Sequence, residues 1–122
     1  MSGAKVDKAR ARFDALRARY VELTQKRDAH DDAMRAKYGS GYYESWLKRS
    51  EKLRSEKLRN AHEAVGDKLF AHVQAISPRD WSRGVPMCWV LMDLTYEDAV
   101  RPLGEPLSVV PPMSYGATEV MR

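Results

Sequence analysis

Nine residues near the start of the chain, Val6, Ala9, Phe13, Leu16, Tyr20, Leu23, Arg27, His30 and Met34, follow one another at alternating steps of three and four. Alternating three and four is the a/d spacing of a coiled-coil seam, and it commits the segment to a helix with one face covered by another helix. The spacing predicts a helix over residues 4–38, roughly 50 Å long at 1.5 Å per residue.

Gly39-Ser40-Gly41 ends that run with a glycine suited to a left-handed C′ position and a serine suited to an N-cap. A second helix over 42–76 is expected to follow, antiparallel to the first because so short a link leaves no room for another arrangement. Its apolar or small residues, Leu47, Leu58, Ala61, Val65, Leu69, Val73 and Ile76, recur closer to every 3.6 residues, with Trp46 and Leu53 on an adjacent line. The tandem Ser50-Glu51-Lys52-Leu53-Arg54 and Ser55-Glu56-Lys57-Leu58-Arg59 is too short for a solenoid repeat and reads as a local duplication on a solvated helix.

Punctuation then changes: all six prolines fall at or after Pro78. Ser77-Pro78-Arg79-Asp80 suggests a brief helical turn carrying Trp81. From Met87 to Glu97 the residues alternate, Cys88, Val90, Met92, Leu94 and Tyr96 on one face, which predicts a strand with Cys88 buried. Leu107 to Val110 is expected to pair back as a second strand, and the last residues to form an extended arm. The expected fold is mainly α: a long antiparallel helical hairpin (1–77) with a short β-hairpin and arm (78–122) packed on it as one domain. A chain of 122 residues has room for little more.

Catalytic and metal-binding patterns are few. His62-Glu63 opens like a zinc-protease motif, but Gly66 stands where the second histidine belongs, and His72 lies on a different face of the helix. Asp28, Asp31 and Asp32 beside His30 are placed on solvated faces. Cys88 is the single cysteine, so neither an intramolecular disulfide nor a cysteine cage for a metal can form. No Gly-rich phosphate loop or nucleophile elbow is present, and the expectation is a non-enzymatic protein without cofactor or metal. Residues 2–12 lack the apolar core of a secretory signal, and no run reaches transmembrane length. The expected location is the cytoplasm, or a particle assembled from it, with no membrane partner.

Binding is therefore where function is sought. Tyr38, Tyr42, Tyr43 and Trp46 crowd the hairpin tip, where a thin helical pair offers little core, and Tyr and Trp make good interface anchors. Packing on one another to close the hairpin end is the alternative. The arm contributes Val109, Val110, Met113 and Tyr115 as extended apolar contacts. These residues make protein–protein contact or self-association the leading expectation: a structural subunit of a larger assembly, such as a phage virion, or a small mobile-element inhibitor.

Nucleic acid is the alternative partner. Residues 1–76 hold seventeen Lys and Arg against eleven Asp and Glu. Lys5, Arg12, Arg19 and Lys26 line one shoulder of the first seam, Arg10 and Arg17 the other, and Lys48, Arg49 and Lys52 open a second basic run. Acids at Glu44, Glu51, Glu56 and Glu63 are positioned to neutralise the shoulders across the hairpin. The formal net charge of +4 is small for a dedicated nucleic-acid binder.

Overall fold

The structure, a computed structural model, describes residues 3–108. Helix α1 spans Gly3–Tyr38, α2 Arg49–Ile76, α3 Met87–Met92 and α4 Tyr96–Ala99, with a 3₁₀ turn at Glu44–Trp46 between the long helices. The long pair packs antiparallel, with Tyr38 beside Glu51 at one end and Ala9 beside His72 at the other. Phe13, Tyr20, Leu23 and Met34 are buried, and the other seam members are half-buried. No helix among the described residues is long and apolar enough to cross a membrane.

The helices join less directly than the glycines suggest. Gly39 does take the left-handed C′ position, at φ 101°, with its N–H donating to the Arg35 carbonyl at 2.8 Å. Ser40, however, caps nothing, and α2 begins at Arg49 rather than at residue 42. The link is used to bury Leu47, and the helix can start only where its first N–H groups find an acceptor. Glu51 supplies it: its carboxylate accepts from the Lys48 N–H at 2.7 Å, three residues before it.

The core lies at the open end of the hairpin, away from the link. Phe13 and Tyr20 from α1 meet Leu69 and Val73 from α2, and over them sit Trp81, Trp89, Val90, Leu91, Leu94, Tyr96 and Ala99. Gly66 makes this closeness possible. A Cβ there would stand 3.0 Å from Cε1 of Tyr20, so even alanine would require the Tyr20 ring to shift by a few tenths of an ångström, while Leu91 at 3.5 Å is in ordinary contact.

The tail departs most from expectation. Met87–Met92 is a helix, not a strand, and no strand occurs among the described residues. Trp89, Val90 and Leu91 are buried in succession, which a strand with one covered face cannot do, and Cys88 is exposed. A wholly apolar hexapeptide satisfies an alternating pattern and a helical one equally well, and the helix buries Trp89, Val90 and Leu91 together. Thr95 then caps α4, its hydroxyl accepting from the Asp98 N–H at 3.1 Å. Residues 77–86 form an irregular turn without helix, in which Trp81 is pinned by Nε1–H donating to Ser77 Oγ at 2.7 Å. Leu107 and Ser108 are irregular, and Val109 and Val110 lie outside the described residues.

Two polar clamps fasten the tail. The Arg17 guanidinium donates to the carbonyls of Val90 (3.0 Å), Met92 (3.1 Å) and Leu94 (2.6 Å), taking up the open C-terminal end of α3 while lying 4.9 Å over the Phe13 ring. The fully buried Asp98 accepts from the Ser108 N–H and hydroxyl and from Arg101 Nε. Burial opposes its ionisation, yet these donors outweigh burial and lower its pKa. Arg10 pairs with Glu97 of α4. On the shoulder formed by Arg10 and Arg17, then, Arg10 is paired with an acid of the tail rather than of α2, and Arg17 is engaged by the tail's carbonyls, because the tail packs against that side of α1.

Candidate interaction surface

Four rings gather at the hairpin tip, and the structure separates them into two pairs with different roles. Tyr38 closes α1 with its hydroxyl donating to Glu51 at 2.5 Å, and Lys37 Nζ reaches the same carboxylate at 2.9 Å. With the Lys48 N–H these donors hold Glu51 at a pKa of about 2. Tyr42 folds back to donate to Asp31 at 2.6 Å, a bond that raises its own pKa, and its ring sits 6.4 Å from Tyr38. Both rings are half-buried and tie the link to the helices.

Among the described residues, Tyr43 and Trp46 have no such task. They meet edge to face at 5.2 Å and remain 68% and 52% exposed, a joined apolar surface at the far end of the rod. Tyr and Trp rings are favoured as interface anchors because they bring much area with few rotatable bonds. Of the remaining interface candidates, Val109, Val110, Met113 and Tyr115 lie outside the described residues.

The basic candidates divide as well. Arg19 and Lys26 both pair with Glu22 on their own helix, while Arg12 is exposed and in no ion pair among the described residues. Lys48 and Arg49 are exposed and Lys52 half-buried, and none of the three sits in an ion pair among the described residues. Glu51 does not neutralise them, because it is turned to the seam and engaged by Lys37.

Between tip and core the seam becomes polar. An open cleft of about 370 Å³ lies there, lined in part by Arg27, Asp28, His30, Asp31, Ser55 and His62. Asp28 is exposed, as the sequence predicts, and Asp31 is half-buried; both border this cleft, across from Ser55, Leu58 and His62 of α2. Both Asp31 oxygens are occupied, one by Tyr42 and the other by Arg35 at 2.8 Å. Asp32 stays on the solvent side.

His62 is the residue whose role the sequence did not reveal. Arg27 can only donate, so its 2.9 Å contact makes Nδ1 an acceptor and leaves the proton on Nε2. Nε2–H then donates to Thr24 Oγ1 at 2.7 Å, and the Thr24 hydroxyl donates to the Tyr20 carbonyl at 2.9 Å. The Tyr20 ring stacks on the imidazole at 4.3 Å. Every hydrogen of this chain has an acceptor only while His62 is neutral. Burial and then Arg27 lower its pKa, against smaller opposite effects of Asp28 and Glu63. His72, by contrast, donates from Nε2 to the Ala9 carbonyl at 2.8 Å and fastens the other end of the hairpin.

A pH dependence follows. The unfolded chain takes up the His62 proton near its ordinary value of 6.5, while the folded chain resists it to lower pH. The stabilisation is therefore complete above that value and is lost as pH falls through the folded pKa. Thermal melting of the wild type should fall between about pH 7.5 and pH 5, and His62→Gln should flatten that decline. An unchanged pH slope in the variant would show that the imidazole is not held neutral.

No protein-family model matches the chain, no curated protein matches its sequence, and no solved structure matches it.

Proposed function

We propose that this is a non-enzymatic interaction protein that docks another protein, or a copy of itself, through the tip of its helical hairpin, as a subunit of a larger assembly. The exposed Tyr43–Trp46 pair carries the proposal. Helices, link and tail place it at one end of the molecule, with the core at the other, so the tip can be covered without disturbing the fold. Rigid aromatic anchors of this kind supply most of the binding energy in many interfaces.

The test separates association from folding. Tyr43→Ala combined with Trp46→Ala should weaken association, followed by analytical ultracentrifugation of the purified protein and of its affinity-purified complex, by about tenfold or more. Circular dichroism should show the helical content unchanged, because neither ring is part of the core. Full association in the double variant would move the interface elsewhere.

One observation favours nucleic acid as a second reading: Lys48, Arg49 and Lys52 stand beside two exposed rings, with Glu51 withdrawn from among them. That reading requires binding that weakens steeply with salt, and Lys48→Gln, Arg49→Gln and Lys52→Gln together should flatten the slope.

A further inference from the structure

We infer that the partner taken by the tip is an acidic, amphipathic helical segment of a protein, laid along the outward face of the first three turns of α2; the inference rests on the tip being the interface.

Three observations carry it. The first is charge. Lys48 to Arg59 contains six cations, Lys48, Arg49, Lys52, Arg54, Lys57 and Arg59, and two acids, Glu51 and Glu56. Folding turns Glu51 to the seam, where its side chain is 13% exposed and engaged by Lys37, Tyr38 and the Lys48 N–H. Six cations then face solvent or its margin against Glu56 alone, and among the described residues none of the six is in an ion pair. A complementary surface must bring carboxylates or phosphates.

The second observation is Leu53, 55% exposed in the middle of this basic stretch. Arg49 and Lys57 stand one turn before and one turn after it, so all three share the helix face turned from α1. An aliphatic knob between two cations suits a partner that offers an apolar stripe edged by carboxylates. It does not suit a phosphate backbone, since leucine has no π-face for a base to stack on. The third is the ring pair. Tyr43 and Trp46 contact each other edge to face, so the face of one ring is already covered, which reduces the stacking available to bases but leaves apolar area for side chains. From Arg49 to Arg59 the face is roughly 16 Å long at 1.5 Å per residue, the span of about three turns of a partner helix.

The test uses the full chain and defined probes, read by fluorescence anisotropy. One probe is a labelled helical peptide of about four turns with leucines at i, i+3, i+4 and i+7 edged by glutamates. The others are a scrambled peptide of the same composition, a version with lysine in place of glutamate, and a single-stranded oligo-dT of similar length. The acidic amphipathic peptide should bind, more weakly as salt rises, and the other three should bind at least about tenfold more weakly. Leu53→Ser, and separately the pair Arg49→Gln with Lys57→Gln, should each reduce that binding by about fivefold or more, while Lys68→Gln leaves it unchanged.

Equal binding of the scrambled peptide, no binding of the amphipathic one, or tighter binding of oligo-dT overturns the inference, the last in favour of nucleic acid. If the Leu53 and charge variants keep full association with the natural complex while Tyr43→Ala with Trp46→Ala loses it, the tip remains the interface and only the acidic helix is wrong. If all variants keep it, the tip itself is wrong.

Discussion

Leu69→Asp should abolish folding, and Leu53→Asp on the same helix should leave melting almost unchanged. Leu69 is fully buried among Val73, Trp81, Trp89 and Leu94, where a carboxylate would find neither water nor a cation. Burying an unpaired charge there costs more than about 5 kcal/mol, as much as the whole stability of many domains of this size. Leu53, more than half exposed, lies outside that core, and a surface change of this kind moves stability by about 0.5 kcal/mol or less. Chemical denaturation followed by circular dichroism distinguishes the two. Similar midpoints for both variants would mean that α2 does not present the face described.

Arg17→Met should be the most damaging change at a charged position. It removes one guanidinium but leaves three carbonyl groups, of Val90, Met92 and Leu94, without their donor. Hydrogen bonds from a charged donor contribute about 1.5–3 kcal/mol each and are not additive, so a total loss of about 3 kcal/mol is expected. Burial pushes the Arg17 pKa down without threatening its charge, because the normal value is so high. Near-ultraviolet circular dichroism should lose the signal of the Trp81–Trp89 pair, whose rings lie 6.2 Å apart, earlier in denaturant than the far-ultraviolet signal of the long helices. Arg17→Lys should not rescue it, since a single ammonium lacks the planar fork that reaches three carbonyls. Coincident and unshifted transitions in Arg17→Met would show that α3 is held by apolar contact alone.

How much of this was legible in the sequence depends on whether the pattern was local. The α1 seam is visible from Val6 to Met34 because every step of it obeys one period, and each of those positions is buried or half-buried. The start of α2 was misplaced by a full heptad because Glu51, which fixes it, reads in sequence as one more acid on a charged helix. The tail is not legible in this way because Met87 to Met92 is apolar throughout, so periodicity does not choose between strand and helix. An alternating reading puts Cys88 inside for the same reason, whereas the helix leaves it exposed.

At the site, the surplus of rings at the tip was legible, but their division was not. Tyr38 and Tyr42 are retained by Glu51 and Asp31, thirteen and eleven residues away in sequence. Nothing local to the chain distinguishes them from Tyr43 and Trp46. The His62 chain was hidden because its partners Thr24 and Arg27 belong to the other helix.

The central claim is that the aromatic tip is the surface by which this protein meets its partner. Its most direct measurement is site-specific photo-crosslinking, with a benzophenone amino acid at position 43 compared with one at Met87, an exposed apolar position on α3 at the core end. The account predicts a discrete protein adduct from position 43 that is lost when Trp46 is changed to Ala, and no such adduct from position 87. An adduct from position 87 with none from position 43 would contradict it.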